Sequence, residues 1–226
     1  MYLIYLAMGL LFALIYIRTA YRWPATYLAL LLGAIVAPLL IVTQTPLQKM
    51  LVQQVIIPQV SRGGSPYFWS FLPALVAALL QEGLKMGSIW AVAKRFRPKL
   101  HHHYVTIGAA CGGGFGIVAG CYVITLTGVQ NFLSWHLLEH GVYILFHATS
   151  GAMLGYALSF GPNSRRWLQM LLGMIAFNCA LRYLPIFVQQ RSIPVEVMHF
   201  LLAILVTGLV FAAMMMFGRA NPSRSR

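Results

Sequence analysis

The sequence predicts an all-α fold, a polytopic bundle of about seven transmembrane helices in a single domain. Hydrophobic residues make up 60% of the chain and charged residues 8%, whereas an average soluble domain is about one-quarter charged. The mean hydropathy is +0.77. At about 20 residues per span, residues 1–226 have room for about six to eight helices. This composition excludes a soluble enzyme, a disordered chain and a secreted disulfide scaffold.

Seven apolar stretches are the predicted spans. They run over 2–17, 25–43, 67–93, 104–126, 134–160, 167–188 and 194–217. The first has the length of a signal peptide, but it lacks a basic start and a small-residue cleavage site, so we predict a span. The loop 44–66 contains an apolar segment of about 11 residues, which is too short to cross and is predicted to lie along the outer interface.

The distribution of basic residues predicts the orientation of the bundle. The chain has 16 Lys and Arg against 3 Asp and Glu. If the spans alternate in direction, three basic loop residues lie on one side and eleven on the other: Arg18, Arg22, Lys94, Arg95, Arg97, Lys99, Arg165, Arg166, Arg219, Arg224 and Arg226. The positive-inside rule then puts the N-terminus outside and the C-terminus in the cytoplasm. We assign the charge to topology and anionic lipid, not to nucleic acid.

Glu82 and Lys85 are the first candidate site residues, because ionisable groups inside spans are costly. Glu82 is about 16 Å from the cytoplasmic end of its span, at 1.5 Å per residue. Lys85 lies one helical turn further on and is within reach of an ion pair, and it shares a helix face with Gln81. Two interpretations are open: a structural ion pair, or a general base tuned by burial and by the nearby ammonium.

Glycine and cysteine in the next spans point to packing. The run Gly112–Gly116, followed by Gly120, predicts either close helix approach or a locally opened backbone. The cysteines show no metal spacing and are predicted to be packing residues. The run His101–His103 is interpreted as an interfacial basic loop, with a metal-binding tract as the alternative.

The fifth span suggests a metal site. Its ionisable residues are His136, Glu139, His140 and His147. The first three match H-x-x-E-H, the inverted zinc-protease motif, in which two His bind zinc and the Glu activates water. A third zinc ligand would have to come from Glu196 or His199. The default interpretation of these residues is a polar helix start at the interface. For Arg182 the structural interpretation is a pairing with Glu139 or Glu196 near the outer face.

The order of these motifs resembles the glutamate-dependent intramembrane proteases of the PrsW, YhfC and CPBP types, over about residues 70–185. The family's motif E-E-x-x-K stands here as Gln81-Glu82-Gly83-Leu84-Lys85. Its glycine-phenylalanine motif stands as Gly112–Gly116, and its histidine motif as His147 with Gly151 and Gly155. Asn178 is the remnant of the fourth motif.

The resemblance implies a protease that processes membrane-anchored proteins, in a prokaryotic plasma membrane. It implies that Glu82 activates a water, that His147 and Asn178 stabilise the oxyanion, and that Lys85 tunes the base. The chain departs from the family pattern in three places. Gln81 replaces the first Glu, no carboxylate follows Phe115, and the His of the fourth motif is missing. A catalytically inactive relative therefore remains an alternative.

Three other functions stay open at this point. A non-catalytic scaffold or subunit would bind the transmembrane helix of a partner through its polar cavity. A small-solute carrier would use the glycine run and His147 to line a path. A rhomboid-type serine protease would need Ser150 as its nucleophile, but no matching histidine motif follows. The predicted partners are the lipid bilayer and a transmembrane protein. No cofactor is assigned, and zinc is the one candidate.

Overall fold

The fold was examined in a computed structural model that describes residues 2–17, 23–127 and 135–219. Within these ranges the chain is all-helical, at 89% helix with no strand. The helices are α1 (Tyr2–Ile17), α2 (Pro24–Leu51), α3 (Ile57–Ser61), α4 (Pro66–Phe96), α5 (His101–Thr127), α6 (Trp135–Leu158), α7 (Arg165–Tyr183), α8 (Pro185–Gln189) and α9 (Val195–Arg219). Arg18, Arg22, Arg224 and Arg226 lie outside the described residues.

Two segments predicted as loops are helical. A π-helical turn, Val52–Ile56, joins α2 to α3, so that Pro24–Ser61 is one continuous helix and only 62–65 connects it to α4. The prediction of a loop over 44–66 was wrong for 44–61, which stay helical although Pro46 and Pro58 lack a backbone donor; the π-helical turn lies just before Pro58. His101–His103 form the first turn of α5 and are not a loop.

Six helical segments of the described chain are long and apolar enough to cross a membrane. They are Pro24–Ser61, Pro66–Phe96, His101–Val123, Glu139–Leu158, Arg165–Gln189 and Val195–Phe217. They match the last six predicted stretches, whereas α1 has 16 residues and is shorter. Large apolar side chains face outward, as expected of a protein surrounded by lipid; Leu39 is 61% exposed and Val42 is 72% exposed.

Contacts at the two ends of the bundle show that successive helices run antiparallel. At one end, Nδ1 of His101 lies 2.6 Å from Oγ of Ser159, joining the start of α5 to the residue after α6. Arg166, at the start of α7, lies over the Phe160 ring at the same end. At the opposite end, Tyr67 of α4 bonds through its hydroxyl to Ser192, which precedes α9. The α4–α5 and α6–α7 connections therefore lie together, with the basic residues of the adjoining helix ends.

Helices α5 and α6 form the centre of the bundle and pack in very close contact. A Cβ at Gly112 would lie 2.0 Å from the backbone oxygen of His147, and one at Gly108 would lie 2.0 Å from that of Gly151. Only glycine permits such an approach, because any side chain would overlap the facing backbone. Of the two predictions for the glycine run, close helix approach is confirmed; α5 stays helical throughout.

Candidate functional site

The residues singled out in three different spans meet in the middle of the bundle. Oε1 of Glu82 lies 2.7 Å from Nζ of Lys85 and accepts a hydrogen bond of 2.7 Å from Nδ2 of Asn178. Nζ of Lys85 in turn lies 3.2 Å from Nδ1 of His147. Together with Ser150, these residues form the buried polar cluster. The side chains of Glu82 and Lys85 are 0% exposed.

Each member of the cluster is brought in by helix packing. Glu82 and Lys85 lie one turn apart on α4, so both face the same neighbours. Helix α7 packs on α4 and brings in Asn178, while α6 brings in His147. The glycines of α5 let the backbone of α6 approach closely at His147. The site therefore depends on the α5–α6 contact as much as on its own side chains.

Lys85 is the hub of the cluster. Besides Glu82 and His147, its ammonium donates a 2.6 Å hydrogen bond to Oγ of Ser150. These partners account for its three N–H groups. The rings of Phe115 and Phe146 lie 5.7 and 5.2 Å from Nζ, close enough for cation–π attraction. The carboxylate of Glu82 and these hydrogen bonds favour the ammonium form of Lys85, whereas its complete burial favours the neutral amine.

The polarity of these bonds assigns roles. An ammonium only donates, so with Lys85 charged Nδ1 of His147 accepts, and the tautomer that fits carries the ring proton on Nε2. Ser150 likewise accepts from Lys85, which is opposite to the arrangement in which a neutral lysine activates a serine nucleophile. In the sequence, Ser150 was considered only as the nucleophile of a rhomboid-type protease. Its position one turn after His147 was the signal that could have placed it in the cluster.

Asn178 holds Glu82 in place. Its amide nitrogen donates to Glu82 at 2.7 Å and to Oε1 of Gln81 at 3.2 Å, which uses both of its hydrogens. The other carboxylate oxygen of Glu82, Oε2, is buried and accepts no hydrogen bond from the described residues. Oε2 can therefore accept a hydrogen bond that no described residue supplies.

A chain of amides extends the cluster along α4 and α2. Nη2 of Arg182 donates to Gln81 at 2.6 Å, and its Nε donates to Oδ1 of Asn178 at 3.1 Å. Gln81 donates to Oε1 of Gln44 at 3.1 Å, a partner that sequence reasoning missed because 44 was assigned to a loop. Gln81 is thus the acceptor for a half-buried guanidinium.

The predicted pairing of Arg182 with Glu139 or Glu196 was wrong. Arg182 lies on the face of α7 that packs against α4, so its hydrogen bonds go to amide oxygens there. Glu139 pairs instead with His199 of α9, with Oε2 and Nε2 2.9 Å apart. Glu196 is exposed.

The metal site stays a prediction. Among the residues whose side chains are described, no three His, Cys, Asp or Glu are close enough to hold a metal ion. His140 is buried and Glu139 contacts His199, which brings one proposed third ligand to the motif. The side chain of His136, the remaining member of His136-x-x-Glu139-His140, lies outside the described residues.

A cavity of about 710 Å³ lies beside the cluster. Its walls come from the π-helical turn and α3, from the first half of α4, and from the end of α7 with α8. We call it the Arg182 cavity, because Arg182 lines it and also belongs to the hydrogen-bond chain that ends on Glu82. Most of its other lining residues are apolar, among them Val52, Ile56 and Ile186.

Comparison with known proteins adds no assignment. No protein-family model, no curated protein and no solved structure matches this chain. The buried polar cluster, the cavity beside it and the motif resemblance are therefore the basis for a functional proposal. Within the cluster, a single carboxylate is bonded to an ammonium and an amide, with an imidazole on the far side of the ammonium.

Proposed function

We propose that this chain is an intramembrane protease-like membrane protein that hydrolyses a membrane-anchored protein substrate, with Glu82 as the general base. The observation that carries the proposal is the meeting of Glu82, Lys85, His147 and Asn178 in one buried hydrogen-bonded cluster. Burying charge and amide groups at the centre of a bundle is costly, and such groups are concentrated at functional sites. The same residues are those that the motif resemblance selects.

In this proposal the residues divide the work of hydrolysis. Oε2 of Glu82 takes a proton from a water whose oxygen attacks the scissile carbonyl carbon. The proton then passes to the amine nitrogen as the carbon–nitrogen bond breaks. The Nε2–H of His147 donates to the developing oxyanion. Asn178, whose amide hydrogens are engaged, positions Glu82, and Lys85 balances the charge of the carboxylate.

We further propose seven spans, with the N-terminus outside and the C-terminus in the cytoplasm of a prokaryotic cell. Helix α1 is about 24 Å long at 1.5 Å per residue, so modest thinning of the bilayer would let it cross. The grouping of the two basic connections at one end of the bundle supports this orientation. The prokaryotic location depends on the motif resemblance alone.

A second function is favoured by a specific observation. Glu82 and Lys85 form a fully buried ion pair, and Gln81 supplies an amide where the family has a second carboxylate. A paired carboxylate is a weaker base than an unpaired one. In this alternative the protein is a non-catalytic member of the fold that binds the transmembrane helix of a partner.

Mapping of protein termini tests the proposal. Membranes from cells expressing the wild-type chain or Glu82→Gln are compared for new N- and C-termini in membrane-anchored proteins. The amide keeps the shape of Glu82 but cannot take a proton from water. We expect new termini with wild type and their loss, by a factor of at least 100, in Glu82→Gln.

Two controls make the comparison specific. Glu196→Gln makes the same chemical change at an exposed position and should retain processing. Ser150→Ala removes an acceptor of Lys85 but no group of the proposed reaction, so it should reduce processing far less than Glu82→Gln does. Wild-type levels of processing in Glu82→Gln would refute the general-base role, and copurification of a stoichiometric partner with either chain would favour the binding function.

A further inference from the structure

The buried charges around the cluster do not balance. Glu82 is paired with Lys85, whereas the hydrogen bonds of Arg182 to described residues go to the neutral amide oxygens of Gln81 and Asn178. The described residues thus hold one positive charge in surplus here. Arg182 is half-buried, so water and amide dipoles compensate its charge only in part.

The surplus cation lies at the wall of the Arg182 cavity. Among the described residues that line this cavity, Arg182 is the only charged one. The volume, about 710 Å³, falls within the range of about 300–1,000 Å³ that is typical of small-ligand sites. Apolar side chains of the π-helical turn and α8 form much of the remaining wall.

We propose that the Arg182 cavity binds a single-chain amphiphile with an anionic head, a carboxylate or a phosphate. The head would bond to the guanidinium of Arg182, a group suited to bidentate contact with such oxyanions. The chain would lie against Val52, Ile56 and Ile186. The charge surplus selects an anion, and the apolar wall selects a ligand with a hydrocarbon chain. This binding does not depend on hydrolysis by Glu82.

Spin-label spectroscopy tests the site with the whole protein reconstituted in phosphatidylcholine vesicles. The probes are spin-labelled stearic acid, at a pH where it is ionised, and its neutral methyl ester. We expect the acid to associate with the protein at least fivefold more strongly than the ester. Arg182→Gln should abolish that preference. Arg62→Gln, which removes an exposed arginine, should keep it.

A second variant keeps the proposal falsifiable if Arg182→Gln does not fold. Val60→Trp fills the cavity from its wall without touching the hydrogen-bond chain, and should weaken association of both probes at least fivefold. Equal binding of acid and ester to wild type, or wild-type binding to a folded Arg182→Gln or Val60→Trp, would overturn the proposal. Displacement of the acid by millimolar acetate or inorganic phosphate would also overturn it, by assigning the site to a free anion.

Discussion

At the scale of single residues, the buried polar cluster depends on Lys85. Its pairing with Glu82 could be predicted from the sequence, because an unpaired charge in an apolar span is costly and the two residues lie one helical turn apart. Its contacts with His147 and Ser150 could not, because they depend on how α6 is rotated against α4. The same applies to Arg182. The sequence suggested carboxylates as its partners, whereas in the structure it donates to the amide oxygens of Gln81 and Asn178.

Removing Lys85 should lower the free energy of unfolding, because it leaves Glu82 without its ion-pair partner. We expect Lys85→Met to destabilise the protein by about 3–5 kcal/mol, because an uncompensated charge stays buried. The double variant Glu82→Gln/Lys85→Met should recover most of that loss. Denaturant unfolding in bicelles measures both. Lys94→Met, at an exposed lysine of the same helix, is the control and should be close to neutral. Additive losses in the double variant would contradict the pairing.

At the scale of elements, helix identity was predictable and helix ends were not. Apolar length alone gave the six segments of spanning length, because no other regular structure satisfies its backbone within a bilayer. The extension of α2 through a π-helical turn to Ser61 was missed, because Gln and Pro residues resemble loop composition. The sequence left two interpretations of the glycine run, close helix approach or an opened backbone. Only the contact with α6 decides between them.

Glycine substitutions separate that contact from helix propensity. Gly112→Ala would place a Cβ 2.0 Å from the backbone of α6, so we expect a loss of about 1–3 kcal/mol and displacement of His147. Gly83→Ala is the matched control, since a Cβ there meets nothing within 4 Å and alanine favours helix by about 0.5–1 kcal/mol. Thermal unfolding of both variants in detergent measures the difference; equal melting temperatures would contradict the α5–α6 packing.

At the scale of the whole molecule, the distribution of basic residues along the sequence agrees with the antiparallel packing of the helices. Lys94, Arg97 and Arg166 lie in or beside the α4–α5 and α6–α7 connections, at one end of the bundle and opposite the Tyr67–Ser192 contact. The orientation relative to the cell follows only from the positive-inside rule, because nothing in the packing distinguishes inside from outside.

Labelling of single cysteines tests the proposed topology. In a background with the native cysteines replaced, Asn163→Cys lies in the α6–α7 connection and Ser65→Cys in the α3–α4 connection; both positions are exposed. We expect a membrane-impermeant maleimide added to intact cells to label Ser65→Cys and to label Asn163→Cys only after permeabilisation. The reverse pattern would contradict the orientation, and labelling of both from outside would contradict the antiparallel order.

The most direct test of the general-base claim follows the oxygen of the attacking water. Purified protein is reconstituted with membrane proteins whose termini change in cells, in water enriched in heavy oxygen. Wild type and Glu196→Gln should introduce heavy oxygen into the newly formed carboxyl termini, and Glu82→Gln should not. Equal incorporation with Glu82→Gln would contradict the proposal that this carboxylate activates water.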